Sequence, residues 1–267
     1  MKIGISQMCT GSDLEQNMRF IETSSMKMAE EGVKIAAFPE CAVYLSGDAE
    51  SMRKTAEPLD GKIIGRLQAL ASRLHIYLHN GSFIEKENGR LYNTSVLIGP
   101  EGTLEAVYRK IHLFDMDVPG VISEKESDLL TRGEAVTVKR TDMGTLGMAI
   151  CYDLRFPEQF RRMVEKGAEI IFVPAAFALY TGKEHWEVLL RARAIENQVY
   201  IVAADQTGLH YEGKSSNGHS MIIDPWGCVV AQCGNHTGYV TADVNMEYLE
   251  KVRREAPYLK HIVEISG

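Results

Sequence analysis

Cysteine is scarce in this 267-residue chain: the five cysteines are widely spaced, and no Cys-x-x-Cys pair occurs. An odd number of scattered cysteines is not typical of a disulfide framework or a zinc knuckle, so we expect no structural metal and a reducing compartment such as the cytoplasm. No apolar run approaches the roughly 20 residues that a membrane helix needs. The opening residues, MKIGI, indicate a strand rather than a signal peptide.

Positive charge is also in short supply, since 29 lysines and arginines face 36 acidic residues for a net charge of −7. Broad binding to nucleic acid or to an anionic membrane needs a basic face, so we expect neither partner. The apolar fraction of 45% is ordinary for a globular protein. No linker rich in proline, glycine or serine divides the chain, and we therefore predict one domain over residues 1–267.

Short apolar strands alternate with amphipathic helices along the chain, which predicts an α/β fold with helices layered over two sheets. The longest stretch without a predicted element covers about residues 113–133. Loops of that length in a compact domain are usually functional. The predicted helices are 13–31, 62–74, 157–166, 183–197 and 245–254, and the predicted strands include 2–8, 33–38, 76–83, 91–98, 104–109, 146–150 and 169–173.

Cys151 stands where an apolar strand ends and a helix is about to begin, with Pro157 suited to the first helical turn. A helix N-terminus and a nearby cation both lower the pKa of a thiol, and the thiolate is the reactive form. The position therefore predicts a nucleophile. The alternative interpretation is a small buried core residue.

Two other strand-like segments end in charged residues that such a thiol would need, Glu40 and Lys110. A thiol with a pKa of about 8.5 is mostly protonated at neutral pH. Glu40 could accept that proton, while Lys110 and the N–H of Tyr152 could stabilise the oxyanion of an acyl-transfer intermediate. Both charges could equally be solvated ends of strands.

This chemistry requires neither a metal nor a cofactor, and we predict none. His75 and His79 are four residues apart, but their segment indicates a strand, on which they would not form a helical pair of metal ligands. His112, two residues after Lys110, either lines the site or has a packing role.

At these positions the chain resembles the nitrilase superfamily of carbon–nitrogen hydrolases, and the resemblance covers nearly all of it. Residues 38–40, 108–115 and 151–158 match the Glu, Lys and Cys motifs of the family in order and spacing. The resemblance implies a four-layer α-β-β-α sandwich of two mixed sheets covered by helices. It also implies amide hydrolysis through a cysteine thioester, and a dimer or higher homo-oligomer joined through helices beside the cysteine.

The family often carries a second glutamate that positions the substrate or the cysteine. Residues 119–127 match that region, and the resemblance places this role on Glu126, with Glu124 as the competitor. The alternative for either is a solvated loop charge.

Segments 181–187, 191–198, 218–221 and 224–227 resemble the group of ω-amidases and deaminated-glutathione amidases. This implies an enzyme that releases ammonia from the terminal amide of a small carboxylate-bearing substrate, such as a 2-oxoglutaramate-like acid or deaminated glutathione. The matching pocket-side stretch contains Phe177, Tyr180 and Thr181. Tyr180 is bulkier than the residue common in that group, which bears on the preference among amides.

Arg155 lies four residues after Cys151, where a guanidinium could bind a substrate carboxylate with two parallel hydrogen bonds. Its alternative partners are Asp153 and Glu158. The Tyr152-Asp153 pair replaces the Trp-Glu of true nitrilases and favours an amide over a nitrile. Two other functions stay open: hydrolysis of N-carbamoyl amino acids, and a catalytically silent member of the family that acts as a binding partner.

Overall fold

The computed structural model describes residues 1–120 and 122–263; Val121 and residues 264–267, which the predicted domain includes, lie outside the described residues. Its α-helices are α1 Leu14–Glu30, α2 Ala49–Thr55, α3 Lys62–Leu74, α4 Pro157–Glu165, α5 Leu179–Asn197 and α6 Met246–Glu255. Its strands are β1 Lys2–Gln7, β2 Ile35–Ala37, β3 Tyr77–His79, β4 Phe83–Glu87, β5 Arg90–Ile98, β6 Leu104–Arg109, β7 Asp115–Val118, β8 Ile122–Lys125, β9 Thr137–Thr141, β10 Gly144–Met148, β11 Ile170–Phe172, β12 Tyr200–Ala203, β13 Thr207–Tyr211, β14 Lys214–Asn217, β15 Met221–Ile223, β16 Val229–Gln232 and β17 Gly238–Asp243.

Two large mixed sheets form the centre of the fold. The first has the order β17-β1-β2-β3-β5-β4, with β6 also paired to β5, and the second has the order β16-β15-β12-β11-β10-β9. In each sheet three central strands are parallel, β1-β2-β3 and β10-β11-β12, and the strands around them are antiparallel. Two separate ribbons, β7-β8 and β13-β14, lie outside the sheets.

The alternation of side chains along the strands produces four layers. Ile3 and Ile5 of β1 point into the core between the sheets, where the His79 ring of β3 stacks on the Phe172 ring of β11 at a centroid distance of 4.7 Å. Ala36 of β2 points the opposite way and packs with Leu67 of α3. Each fully buried aliphatic side chain of this kind contributes roughly 1.5–3 kcal/mol of transfer free energy.

The helices cover the outer faces for reasons visible in their sequences. Helix α3 presents Ile63, Leu67 and Leu70 on one face, and Asp13 caps α1 by accepting a hydrogen bond from the Gln16 N–H at 2.9 Å. Helices α1 and α3 cover the first sheet, whereas α4 and α5 pack on the second. The four-layer α-β-β-α prediction is therefore confirmed.

Several local predictions were wrong, and each error has a physical cause. The stretch 113–133 is not irregular, because it contains the ribbon β7-β8, whose alternating charged side chains hide a strand pattern. Helix α2 was not predicted, because it is mostly polar and Met52 is its one buried residue. The predicted strand 76–83 is two strands, since Gly81 adopts a φ of 74° where an added Cβ would lie 1.8 Å from the carbonyl oxygen of Pro39. This close approach lets the segment leading to Glu40 pass across the end of β3.

Candidate active site

Three charged or nucleophilic residues lie within three positions of the ends of strands of the two sheets. Glu40 comes three residues after β2 and Lys110 one residue after β6 in the first sheet, whereas Cys151 comes three residues after β10 in the second. Cys151 begins a short 3-10 helix, Cys151–Arg155, with a left-handed φ of 46°. Its N–H donates to the Pro174 carbonyl at 2.8 Å, which holds this strained turn in place.

Lys110 lies between two carboxylates. Its Nζ is 2.9 Å from Oε1 of Glu40 and 2.9 Å from Oε2 of Glu126. The Asn93 amide donates to the same two groups, at 2.8 Å to Glu40 and 3.2 Å to Glu126. The Lys110 side chain is only 2% exposed, so the structure holds this ammonium in one position away from bulk water.

Backbone donors complete the binding of both glutamates. The Ala176 N–H donates to Oε2 of Glu40 at 2.8 Å, and the Phe114 N–H donates to Oε2 of Glu126 at 2.7 Å. Glu124, the sequence competitor of Glu126, instead pairs with Lys214 on β14. The geometry thus brings Glu126, and not Glu124, to Lys110.

The charges in this cluster stabilise one another despite burial. Burial would raise the pKa of Glu40, but the charge and hydrogen bond of Lys110 outweigh it, so the pKa is lowered. Burial would lower the pKa of Lys110, and the charges of Glu126 and Glu40 outweigh it, so that pKa lies well above its ordinary value. Glu40 is therefore an ionised base and Lys110 a permanent cation at neutral pH.

The Cys151 thiol is protonated in the resting state. Burial, followed by the negative charge of Glu40, raises its pKa well above the ordinary value, and Lys110 only partly opposes this. The sequence argument that a helix N-terminus would lower the pKa of this thiol was wrong, because desolvation dominates. The protonated Cys151 thiol instead lies beside the ionised Glu40 carboxylate. Its proton leaves the sulfur only as the sulfur attacks the substrate.

The raised pKa of Cys151 predicts an alkaline loss of stability. The folded state favours the protonated thiol, so this contribution is complete at neutral pH and is lost as the pH rises past about 8.5 toward the higher folded pKa, by at most about 1.4 kcal/mol per pH unit. Urea unfolding of the protein and of Cys151→Ala at pH 7 and pH 10 measures it, because the other cysteines are common to both. A stability difference that is the same at both pH values would contradict the prediction.

Glu40, Lys110, Cys151 and Glu126 line a cavity of about 330 Å³, here called the inner cavity. Four of the predicted substrate-binding residues also line it: Tyr152, Arg155, Phe177 and Thr181. As the second residue of the 3-10 helix, Tyr152 carries an N–H for which that helix has no carbonyl acceptor.

The structure does not bring His112 or Tyr180 into the inner cavity. The His112 ring stacks on Phe156 at 3.7 Å, and its Nδ1 lies 2.8 Å from Oδ1 of Asp153, so it supports the turn from behind. Tyr180, in the first turn of α5, is 60% exposed. His112 is close to Lys110 in sequence and Tyr180 is next to Thr181, but sequence proximity does not show in which direction a side chain points.

Arg155 is half-buried at the wall of the inner cavity and, among the described residues, forms no ion pair with Asp153 or Glu158. Its Nη1 lies 3.2 Å from Nδ1 of His185, and its Cζ lies 5.2 Å from the centre of the Phe177 ring. Asp153 instead accepts hydrogen bonds from the Tyr108 hydroxyl and the Ile150 N–H. Within the part of the chain that the structure describes, the guanidinium charge has no carboxylate partner beside the cavity.

Sequence reasoning missed Asn93, Ala176 and Lys214. Asn93 is a buried polar residue in the middle of β5, an unusual placement that could have served as a signal. Ala176 acts through its backbone, and Lys214 reaches the cavity from a ribbon that was not predicted.

Within residues 1–120 and 122–263, no three His, Cys, Asp or Glu side chains are grouped so as to hold a metal ion. In the same ranges no helix has the length and apolar character needed to cross a membrane. Burial lowers the pKa of His79 to about 3, and its Nε2 lies 3.0 Å from the Ser95 hydroxyl, so this histidine is a neutral core residue.

Residues 2–254 match the sequence model of a family described as carbon-nitrogen hydrolase. The chain belongs to that family. This carbon–nitrogen hydrolase is 40% identical to a deaminated glutathione amidase from Synechocystis sp. over 262 residues, which cover 96% of each chain. It is also 38% identical over 265 residues to the deaminated glutathione amidase of Bos taurus, with 97% of this chain and 81% of that one covered.

Solved structures agree with the fold of this hydrolase. The NitFhit protein of C. elegans matches with a TM-score of 0.91 and 35% identity over 98% of this chain, which spans 64% of the worm chain. Nit3 of Saccharomyces cerevisiae, described as a member of branch 10 of the nitrilase superfamily, matches with a TM-score of 0.87 and 30% identity, over 96% of this chain and 94% of that one. The predicted superfamily is confirmed.

Proposed function

We propose that this hydrolase is an amidase that cleaves a small carboxylate-bearing amide through a thioester on Cys151, with 2-oxoglutaramate-like acids and deaminated glutathione as candidate substrates. One observation carries the proposal: an ionised glutamate, a buried lysine and a protonated thiol line one cavity. The curated relatives at 38–40% identity are named deaminated glutathione amidases, which supports the substrate class.

In the first half of the proposed reaction, Glu40 accepts the thiol proton as the sulfur of Cys151 attacks the amide carbon. Lys110 and the Tyr152 N–H donate to the oxyanion that develops, and one such donor is typically worth about 3–4 kcal/mol of barrier. Because Lys110 is already held by Glu40 and Glu126, little reorganisation is needed when the charge forms.

In the second half, protonated Glu40 returns its proton to the departing nitrogen and leaves a thioester on Cys151. The leaving group is ammonia for a primary amide. For deaminated glutathione it is an amine, because the amide nitrogen carries the rest of the peptide, so the expected release of ammonia does not extend to that substrate. Glu40 then removes a proton from water as the water oxygen attacks the thioester, and it returns that proton to the departing sulfur, so that the acid is released and the free thiol is restored.

A panel of ω-amides, N-carbamoyl acids and nitriles tests the proposal on the purified protein. We expect turnover of carboxylate-bearing ω-amides and little of nitriles. For the alternative of N-carbamoyl hydrolysis, intact mass of acid-quenched protein would show a carbamoyl group on Cys151 rather than the acyl chain. A silent binding partner would require the Cys151→Ala protein to produce the full cellular effect.

We expect Arg155→Met to raise KM for 2-oxoglutaramate by about 10- to 100-fold, because a hydrogen-bonded charge is worth about 1.5–3 kcal/mol. A neutral amide of the same chain length should retain its KM within about threefold. Steady-state kinetics with both substrates measures this selectivity. Equal losses on the two substrates would assign Arg155 a structural role beside His185.

We further propose that the enzyme consists of one domain over residues 1–267 and is cytoplasmic. We also propose that two copies form a homodimer with α5 at the interface. Val188 and Ile195 of α5 are 66% and 41% exposed, and Trp226, which precedes the Gly227 that approaches Ile195, is 54% exposed. This exposed apolar surface lies on α5, the helix that begins at the cavity. Such a surface is consistent with the dimer that the family resemblance implies, which forms through helices beside the cysteine. Light scattering that gives a monomer mass would contradict this.

A further inference from the structure

A second cavity of about 780 Å³, here called the outer cavity, lies beside the inner one. The two cavities share four lining residues, Glu124, Ala178, Thr181 and Lys214. Deaminated glutathione carries a second carboxylate, on its glycine, far from the scissile amide. With that amide at Cys151, the four shared residues form the wall through which the distal end of the substrate would reach the outer cavity.

Two of the shared residues form an ion pair that joins the two ribbons. Lys214 of β14 donates to both carboxylate oxygens of Glu124 on β8, with a distance of 2.7 Å to Oε2. The Lys214 ammonium also lies 5.9 Å from the centre of the Phe114 ring, at the wall of the inner cavity. Burial would lower the pKa of Lys214, but the charge and hydrogen bond of Glu124 outweigh it, so the pKa is raised and the ammonium stays charged.

The two partners differ in their access to water. The Lys214 side chain is 12% exposed and that of Glu124 is 36% exposed. Glu124 can therefore turn toward solvent and be rehydrated, whereas Lys214 cannot leave and needs an anion beside it. A buried charge without a partner is costly, but exchanging one carboxylate for another keeps the lysine paired throughout.

We propose that Lys214 is a carboxylate subsite between the two cavities, closed by Glu124 in the free enzyme and opened when a distal substrate carboxylate takes its place. The inference rests on the proposed amidase function and extends it. Arg155 would bind the carboxylate on the acyl side of the scissile amide, and Lys214 the carboxylate at the far end of a longer substrate. Thr181 and Ala178 would flank the chain that joins the two ends.

Three substrates isolate this subsite: deaminated glutathione, the same compound with its glycine carboxylate converted to a carboxamide, and 2-oxoglutaramate. Lys214→Met should raise KM for the first by about tenfold, because one charge-assisted contact is lost. It should leave KM for the other two within about twofold, since neither carries the distal charge. Lys139→Met is the matched control: Lys139 pairs with Glu105 on the surface at 2.9 Å and lines neither cavity.

Glu124→Gln should change KM for deaminated glutathione in the direction opposite to that of Lys214→Met. Removing the competing carboxylate frees Lys214, so KM for deaminated glutathione should fall by about threefold or more while the other two substrates keep theirs. If the ion pair only joins the ribbons, both variants break it, and KM would rise in both for all three substrates. That parallel rise would overturn the proposal.

Direct binding separates this inference from the proposed function. Deaminated glutathione and its carboxamide are titrated by calorimetry into Cys151→Ala and into Cys151→Ala/Lys214→Met. A preference for the acid that disappears with Lys214→Met supports the subsite, even if the wild-type protein turns over none of the three substrates and the amidase proposal fails. Equal affinity for acid and carboxamide in the Cys151→Ala protein would overturn the subsite, even if turnover is observed.

Discussion

Cys151→Ala is expected to lower kcat by at least about 10⁴-fold while the protein stays folded, a loss comparable to that of a nucleophile in other covalent hydrolases. Cys41 also lines the inner cavity and has a left-handed φ of 54°, but of these two thiols it is Cys151 that forms a hydrogen bond with the ionised Glu40 carboxylate. Alanine removes only the sulfur and accepts the same backbone at a small cost, so the cavity should persist.

The measurement is single-turnover amide hydrolysis, together with intact mass of acid-quenched enzyme to detect the thioester. Cys233→Ala is the matched control, since Cys233 is also a buried thiol and lines no part of the inner cavity. It should retain full turnover. Activity of Cys151→Ala within about tenfold of wild type would end the thioester mechanism.

Lys110→Ala should lower kcat by about 10³-fold and change KM by less than about fivefold, because an oxyanion donor acts in the transition state rather than on bound substrate. It should also lower the free energy of unfolding by about 3–5 kcal/mol, since Glu40 and Glu126 would face each other without the cation between them. Denaturant unfolding and steady-state kinetics measure the two effects separately.

A control must separate lost stability from lost catalysis. Leu70→Ala in α3 creates a cavity in the helix layer of the first sheet and should cost about 2–5 kcal/mol, yet it should leave kcat unchanged at a temperature where both proteins are folded. If Lys110→Ala raises KM with kcat intact, or if Leu70→Ala loses as much activity, the oxyanion role is wrong.

The layers of the fold could be predicted because they follow from local patterns. Buried central strands contain continuous apolar runs, and α3 carries an apolar stripe with a helical period. The ends of these strands were therefore visible, and with them the positions of Glu40, Lys110 and Cys151. The chemistry of the three residues and the resemblance to the Glu, Lys and Cys motifs of the family predicted that they form one site, although they follow strands of two different sheets.

Other features depend on contacts that no local pattern specifies. Glu124 and Glu126 are two residues apart on one segment, and only the path of the ribbon sends Glu126 to Lys110 and Glu124 to Lys214. His112 faces Asp153 instead of the cavity because it contacts the turn that follows β10, which lies far from it in sequence. The pKa of the thiol depends on complete burial, which is a property of the assembled layers.

The separation of the three residues between two sheets affects how the chain acquires its reactivity. Glu40 and Lys110 follow strands of one sheet and Cys151 follows a strand of the other, and the Ala176 N–H that binds Glu40 also comes from the second half. A partly folded intermediate with only one sheet formed would thus hold a base and a cation without a nucleophile, or an inert thiol alone. During refolding, enzymatic activity should therefore return after the far-ultraviolet signal. Partly folded chains should not hydrolyse amides, because activity requires both sheets.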